Sequence, residues 1–338
     1  MELPRRIDWR AVIGISGTNL VTPLLGHALE TLRLLDTLEE EPRRYFRAMT
    51  DAARDRNRIL RRDLLRIAVA MERAGIPLLP LKGAIRLLDG LYADDAWRFM
   101  HDLDLLVPAD RLAAAARVLR EGGWRDLEDE PCRFAPHLPP MVHPDSGAVL
   151  ELHERPVPAW LEHMLPAASL FARARPLRVE GTTLLLPDPA DQLLHLVIHG
   201  QLMHGHLYTG RLLLRDLVEL VRLTQRHGKG MAEEVLRRLE TAGHRLAGEV
   251  AMATARATLP SAAAPLPAAR PAARLLASKA IIQQHSGLLM ATLAPVGAVL
   301  RERRAHARST GLLRRLADAG YRRELRAQWR AFRRKTSW

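Results

Sequence analysis

The chain contains 338 residues, of which 48% are hydrophobic, and its formal net charge at pH 7 is +13. This length and composition suit one large or two ordinary domains, and no stretch reaches the ~18 consecutive apolar residues of a membrane-spanning helix. The N-terminus lacks the apolar segment of a signal peptide, and the single cysteine, Cys132, excludes an internal disulfide framework and a cysteine-rich zinc site, so we expect a cytoplasmic protein.

The first predicted elements are helices. Between residues 22 and 74, apolar residues recur at spacings of three and four, as in "LLGHALETLRLLDTL" and "ILRRDLLRIAVAMERAG", which is typical of amphipathic helices. Gly75 suits the left-handed conformation in which many helices end. We therefore expect a helical N-terminal region over residues 1–74.

Short apolar segments separated by helical ones follow. The segment "IPLLPLKG" (76–83) predicts a buried strand that ends at Lys82-Gly83, and "LDLLV" (103–107) and "AVLELHERP" (148–156) predict two further strands. "LRVEGTTLLL" (177–186) predicts a hairpin that turns near Gly181. Strands that alternate with helices favour a mixed α/β (α+β) sheet, which we expect to form the core of the chain over residues 75–187.

The remaining sequence has a helical pattern, and its main break is the Ala/Pro-rich segment "LPSAAAPLPAARPAA" (259–273). We expect a helical domain over residues 188–300 and a basic helical tail over residues 301–338. The tail contains 13 basic and three acidic residues, so it carries +10 of the net charge of +13. Two interpretations stay open: the tail contacts RNA or another anionic surface, or it is a solvated helix in an arginine-rich chain.

Two acidic residues lie within the second predicted strand, in "HDLDLLV". Asp102 and Asp104 are two positions apart, so a strand directs both side chains to one face and directs Leu103 and Leu105 to the other. Neighbouring carboxylates repel each other unless a proton or a cation neutralises them. Carboxylate oxygens suit Mg²⁺, and we therefore predict that Asp102 and Asp104 bind this ion, with Mn²⁺ as an alternative.

A third carboxylate is expected from the strand predicted at 148–156. Glu151 alternates with Leu150 and Leu152, so it lies on the opposite face of the strand from these leucines. Three such ligands can hold two cations about 3.5–4 Å apart, an arrangement that clamps the attacking and leaving oxygens of a displacement at phosphorus. His153 shares the face of Glu151. It either supports the metal ligands or contacts the substrate, or it is an ordinary polar neighbour on the strand.

The segment at 76–124 resembles the uncharacterised nucleotidyltransferase family of the polymerase-beta-like superfamily. The matching motifs are Leu81-Lys82-Gly83, Arg98, the strand from Asp102 to Val107, and Gly123-Trp124. "LELH" (150–153) and the helical segment at 193–220 add support, and the resemblance covers roughly residues 20–225. It implies a nucleotidyltransferase fold and the transfer of a nucleoside monophosphate (NMP) from a nucleoside triphosphate (NTP) to an acceptor hydroxyl.

The resemblance also implies where the nucleotide binds. In the superfamily a Gly-Gly or Gly-Ser turn cradles the triphosphate, and this chain has Lys82-Gly83 there, 19 residues before Asp102. Gly83 would permit close approach of the backbone at a helix N-terminus, and Lys82 would add a positive charge. Arg98 is predicted either to bind a phosphate or to fix the loop before the metal-binding strand.

Four histidines lie in the helical segment: His195, His199, His204 and His206. His195 and His199 have the spacing of metal ligands on one helix face, but histidines more often pack beneath a site or cap helices. Arg215 and Asp216 lie among leucines, where we expect a buried ion pair that orients the helical domain.

We therefore expect a metal-dependent enzyme in which Asp102, Asp104 and Glu151 act on an NTP bound by Lys82, Gly83 and Arg98. The acceptor is left open among a protein side chain, an RNA end, a sugar and a small molecule. The alternative function is that of an RNA-binding or toxin-like protein that modifies RNA and uses the basic tail.

Overall fold

A computed structural model describes residues 7–127 and 136–284. Cys132, the last part of the helical domain predicted over 188–300, and the basic tail predicted at 301–338 lie outside the described residues. Within the described ranges, no helix has both the length and the apolar character that crossing a membrane requires.

Helices make up most of the described chain. Those of the N-terminal half are α1 (Trp9–Thr18), α2 (Thr22–Thr31), α3 (Glu40–Arg73), α4 (Lys82–Arg86) and α5 (Leu112–Glu121). Those of the C-terminal half are α6 (Ala167–Arg173), α7 (Pro189–Val197), a π-helix (Ile198–Met203), α8 (His206–Thr209), α9 (Leu214–His227), α10 (Lys229–Thr241), α11 (Arg245–Thr258) and α12 (Pro271–Gln284). Short 3₁₀ turns occur at Leu35–Thr37, Asp95–Trp97, Ala109–Arg111 and Glu162–Met164.

The strands form one five-stranded sheet and one hairpin. The sheet contains β1 (Leu79–Pro80), β2 (Leu103–Leu106), β3 (Arg125–Asp126), β4 (Met141–Val142) and β5 (Val149–His153), in the order β1-β2-β5-β4-β3. The hairpin contains β6 (Arg175–Val179) and β7 (Thr182–Leu186). Because β2 and β5 are parallel while the other neighbours are antiparallel, the sheet is mixed, as predicted.

The sheet separates two apolar clusters. On one side the C-terminal half of α3 packs on the sheet, where Leu60 and Leu64 join Leu103, Leu105 and the leucines of β5 in a single buried cluster. The other cluster joins Leu79, Leu81 and Leu106 to the helices after residue 188. The polar face of β2 and β5 therefore looks toward the C-terminal helices.

The predicted strand at 76–83 is shorter than expected. Only Leu79 and Pro80 form a ladder with β2, and α4 begins at Lys82. Pro77 and Pro80 have no N–H group to donate, which limits the ladder of this segment. The strands predicted at 103–107 and 148–156 are also shortened at their ends, to Leu103–Leu106 and Val149–His153, whereas β3 and β4 were not predicted.

The predicted hairpin is confirmed. Glu180 and Gly181 both have positive φ angles, 47° and 84°, which is the conformation of a tight two-residue hairpin turn. A hydrogen bond of 3.0 Å from the Leu185 N–H to the Leu78 carbonyl attaches the hairpin to the segment before β1.

A buried carboxylate joins three helices of the C-terminal half, α6, α7 and α10. Asp191 of α7 is 1% exposed and accepts hydrogen bonds from Arg173 at 2.7 and 2.9 Å and from Arg238 at 2.8 Å. Asp188 has a different role, since it caps α7 by accepting from the Ala190 N–H at 2.8 Å.

We predict that Asp191→Ala lowers the free energy of unfolding by about 1.5–3 kcal/mol, the range for hydrogen bonds to charged groups. Asp188→Ala removes only a helix cap and should cost about 1 kcal/mol. Urea denaturation of both variants measures the difference. Equal losses of unfolding free energy in the two variants would contradict the prediction that Asp191 stabilises the fold more than Asp188 does.

Candidate active site

The register of β2 and β5 places two carboxylates side by side. Asp104 is the direct partner of Glu151 in this parallel pair, and Leu103 and Leu105 pair with Leu150 and Leu152. Because side chains alternate along a strand, these leucines are buried on one face while Asp104 and Glu151 share the other. The alternation predicted from the sequence for both strands is therefore confirmed.

His153 completes a compact group of possible metal ligands. Its Nε2 atom lies 3.0 Å from Oδ1 of Asp104 and 3.5 Å from Oε2 of Glu151, and the side chain is 1% exposed. One donor atom from each of Asp104, Glu151 and His153 lies within 4.8 Å of the other two. The signal for His153 was present in the sequence, since it is two residues after Glu151 on a strand.

Asp102 lies at the edge of this group. It immediately precedes β2 and is half-buried. Burial, together with repulsion from Asp104 and Glu151, raises the pKa of the Asp102 carboxyl above its ordinary value. Asp102 therefore faces two other carboxylates, an arrangement that is suited to a cation.

Asp102, Asp104, Glu151 and His153 are called the acidic group below. Lys82 supplies a positive charge to it. Its Nζ atom lies 2.6 Å from Oδ1 of Asp104, the same oxygen that His153 contacts. Burial alone would raise the pKa of the Asp104 carboxyl, but the charge of Lys82 and the bond from His153 outweigh it and hold this pKa well below its ordinary value. The Lys82 ammonium therefore neutralises the Asp104 carboxylate in the structure.

The backbone of Lys82 is in a conformation that favours glycine. Its φ angle is 48°, in the left-handed region that costs a residue with a Cβ atom about 1–3 kcal/mol and persists only where the surrounding structure imposes it. Lys82 begins α4, and the preceding Leu81 N–H donates to the Asp104 carbonyl at 2.9 Å. The turn is thus fixed to the strand that carries Asp104.

Gly83 lies under the guanidinium of Arg98. A Cβ atom at Gly83 would be 2.5 Å from Nη1 of Arg98 and 3.1 Å from Cζ, so any larger residue would displace the arginine. The Nε atom of Arg98 donates to Oε2 of Glu219 at 2.6 Å, and Nε of Arg86 donates to Oε1 of the same carboxylate at 3.0 Å. Arg98 is therefore held against the turn by an ion pair with a residue that the sequence did not single out.

All six residues predicted to form the site line one cleft of about 820 Å³. They are Lys82, Gly83, Arg98, Asp102, Asp104 and Glu151. The facing wall belongs to the C-terminal helices and includes His199, His204, His206, Arg211, Arg215 and Asp216, and residues 18–20 at the end of α1 complete the rim. The sequence therefore identified one wall of the cleft, and the individual roles of its residues stay predictions.

Of the four histidines noted in the sequence, His199, His204 and His206 line the facing wall, whereas His195 is buried and does not line the cleft. The ring centroids of His195 and His199 are 6.2 Å apart, whereas Nε2 of His199 lies 3.1 Å from Nε2 of His204. The π-helix causes this, because its hydrogen bonds join residues five apart, as from the His204 N–H to the His199 carbonyl. Burial, assisted by the charge of Lys82, lowers the pKa of His195 to about 3, so this ring is neutral.

The predicted pair of Arg215 and Asp216 is present. Nη2 of Arg215 lies 3.1 Å from Oδ1 of Asp216, and the two side chains are 17% and 13% exposed. The pair is more accessible than expected because it borders the cleft.

The donor atoms of the acidic group fit a divalent cation. Carboxylate oxygens suit Mg²⁺ and Mn²⁺, and an imidazole nitrogen is an accepted ligand of transition metals. Among the described residues, Asp104, Glu151 and His153 form the one cluster whose donor atoms are close enough for three-ligand coordination.

The sequence of the chain matches one known protein family. A family model described as "Uncharacterised nucleotidyltransferase" matches residues 5–260, which are 256 of the 338 residues. No curated protein sequence matches the chain.

Two solved structures resemble the chain at low identity. The solution structure of the antibiotic-resistance factor ANT(2'')-Ia is 13% identical, with 53% of this chain and 89% of that chain covered and a TM-score of 0.38. The crystal structure of an antigenic nucleotidyltransferase-like protein from Paracoccidioides brasiliensis is 15% identical, with 63% and 95% covered and a TM-score of 0.43.

The contact between Lys82 and Asp104 predicts opposite effects of two variants on metal binding. Asp104→Asn removes a ligand and should weaken Mn²⁺ binding about tenfold or more, equal to about 1.4 kcal/mol. Lys82→Met removes an ammonium that competes for Oδ1 of Asp104, so it should strengthen Mn²⁺ binding several-fold in the absence of nucleotide. Electron paramagnetic resonance of free Mn²⁺ measures both.

The control for this experiment is Glu154→Gln, because Glu154 pairs with Arg155 at 3.1 Å and lies outside the acidic group. It should bind Mn²⁺ as the wild type does. Unchanged Mn²⁺ affinity in both Asp104→Asn and Lys82→Met would contradict the assigned cation site.

The ion pairs of Glu219 predict a pH-dependent contribution to stability. Burial would raise the pKa of Glu219, but the charges of Arg98 and Arg86 outweigh it and lower this pKa from 4.5 to about 2. A carboxyl whose pKa is lower in the folded state stabilises the fold above its unfolded pKa, here by about 3 kcal/mol, and loses this contribution as the pH falls toward 2.

The difference in unfolding free energy between wild type and Glu219→Gln should therefore be largest above pH 5 and shrink below pH 4.5. Urea denaturation at a series of pH values measures it. A difference that does not change with pH would show that the charge of Glu219 is not what stabilises the fold.

Proposed function

Because the chain belongs to the uncharacterised nucleotidyltransferase family, we propose that it transfers an NMP from an NTP to an acceptor hydroxyl and releases pyrophosphate, with a divalent cation as cofactor. The observation that carries the proposal is the pairing of Asp104 with Glu151 in a cleft that also contains the Lys82-Gly83 turn. A phosphate-binding turn and adjacent carboxylates are the two parts that metal-dependent transfer at phosphorus requires.

Asp102, Asp104 and Glu151 would hold the cofactor, which we propose to be two Mg²⁺ ions, with Mn²⁺ as a substitute. His153 would either join these ligands through Nε2 or orient the two carboxylates by hydrogen bonds. When bound, the cations supply charge neutralisation at the phosphate oxygens and lower the pKa of the acceptor hydroxyl.

Lys82 would bind the β- and γ-phosphates of the NTP. In the structure its ammonium contacts Asp104, whose charge the cation would neutralise instead. The lysine side chain would then turn toward the triphosphate beside Gly83, which has no side chain. Arg98, whose guanidinium covers Gly83, adds a second positive charge next to the same turn.

Glu151 would act on the acceptor. Its carboxylate is 24% exposed to the cleft, whereas that of Asp104 is 7% exposed, so Glu151 is the more accessible to a second substrate. It would accept the proton of the acceptor hydroxyl as the acceptor oxygen forms its bond to the α-phosphorus. The bond between the α-phosphorus and its bridging oxygen breaks, and pyrophosphate leaves with the electron pair.

The direct test is to incubate the protein with each α-³²P-labelled NTP, Mg²⁺ or Mn²⁺, and cell lysate. We expect label to move to a protein, an RNA or a small molecule, which identifies the acceptor class. Asp104→Asn and Glu151→Gln should each reduce transfer at least about 100-fold, equal to about 2.7 kcal/mol of transition-state stabilisation.

Glu154→Gln again serves as the matched control and should retain transfer, and thermal unfolding of each variant verifies its folding. Absence of transfer with every NTP, or wild-type transfer by Asp104→Asn, would contradict the proposed function.

A further inference from the structure

A buried carboxylate of the C-terminal helices reaches the predicted phosphate-binding turn through one arginine. Glu219 lies on α9, is 2% exposed, and accepts a hydrogen bond from Nε of Arg98 at 2.6 Å. Arg98 in turn lies over Gly83, where the Nη1 and Cζ atoms occupy the space that a Cβ atom would need. Gly83, Arg98 and Glu219 therefore form a continuous contact from the turn to α9.

The same carboxylate also holds the helix that follows the turn. Its Oε1 atom accepts from Nε of Arg86, a buried residue at the end of α4, at 3.0 Å. Arg86 additionally donates to Gln192 at 2.8 Å and to Asp89. Glu219 thus fixes the C-terminal end of α4 through Arg86, and it reaches the second residue of α4, Gly83, through Arg98.

Two buried arginines need a counter-charge, since an arginine left without one in the interior carries a large desolvation cost. Within the described chain, the carboxylate that both arginines share is Glu219, which belongs to the C-terminal helices and not to the sheet. The position of the Arg98 fork next to Gly83 consequently depends on α9. The bond from Nε to Glu219 fixes the direction of the planar guanidinium of Arg98, which places Nη1 next to Gly83.

We propose that Glu219 is a positioning residue for nucleotide binding, which holds Arg98 against Gly83 so that the turn and the arginine fork meet the triphosphate together. This inference rests on the proposed function, because it assumes that the turn binds an NTP. Glu219 itself does not touch the nucleotide; it acts through Arg98.

The chain offers a matched control for this role. Glu249 of α11 is 1% exposed and also bridges two arginines, with Nε of Arg245 at 2.8 Å and Nε of Arg270 at 2.7 Å. Neither Glu249 nor its two arginines line the cleft. Glu219→Gln and Glu249→Gln therefore make the same chemical change in a buried carboxylate that bridges two arginines, one at the turn and one away from it, although the arginines of Glu249 are the more exposed.

Isothermal titration calorimetry measures the affinity for ATP in the presence of Mg²⁺ in the wild type and these two variants. If the transfer assay selects another NTP, that NTP replaces ATP. We expect Glu219→Gln to weaken nucleotide binding about tenfold and to raise KM more than it lowers kcat, because ground-state placement is lost. Glu249→Gln should bind nucleotide as the wild type does, even where its stability is reduced to a similar degree.

Arg98→Lys is the second variant, and it decides the matter if Glu219→Gln does not fold. It keeps the positive charge but has no planar fork, so it should reproduce the loss of nucleotide affinity. Wild-type affinity in Glu219→Gln, or in Arg98→Lys where that variant decides, would overturn the inference while leaving the proposed function intact. Absence of nucleotide binding by the wild type would instead remove the proposed function, and this inference with it.

Discussion

The candidate site depends on the parallel register of two short strands, which sets Asp104 directly beside Glu151. Two carboxylates in this position repel each other, so a nearby positive charge is required for both to be ionised. The structure provides it through the Lys82 ammonium, 2.6 Å from Oδ1 of Asp104, and Nε2 of His153 lies 3.0 Å from the same oxygen. Lys82 can do so because it occupies a left-handed backbone position at the start of α4, next to the strand. The acidic pair and the turn are therefore one electrostatic unit.

The second constraint comes from the C-terminal helices, which form the facing wall of the cleft and also support the turn. Glu219 accepts hydrogen bonds from Arg86 and Arg98. Arg86 is the last residue of α4, and Arg98 contacts Gly83, the residue after Lys82. The sheet provides the acidic residues, whereas α9 provides the carboxylate that fixes the basic ones. A nucleotide bound in this cleft would therefore contact groups whose positions depend on both parts of the chain.

Local patterns in the sequence account for a large part of the site. Alternation along a strand predicted the shared face of Asp104 and Glu151, and the hairpin near Gly181 followed from its turn residues. The six predicted site residues line a single cleft, although they are spread over 70 positions, from 82 to 151.

What the sequence did not predict is set by contacts between distant segments. The strands β3 and β4 contain two residues each, too few to give a pattern, and they exist because β4 pairs with β5. Glu219 looks like any polar residue of an amphipathic helix until α9 packs beside Arg98, 121 positions earlier. His204 approaches His199 because a π-helix replaces the regular helical turn.

In the proposed function, the acidic group would bind a cation, and Lys82 would thereby be released to the triphosphate. A crystal structure with Mn²⁺ and a non-hydrolysable NTP analogue, with anomalous diffraction recorded near the manganese edge, tests this most directly. We expect an anomalous peak between Asp104 and Glu151, with the Lys82 ammonium moved from Asp104 to the phosphates. Manganese located elsewhere in the cleft, or Lys82 still bonded to Asp104 beside a bound nucleotide, would contradict it.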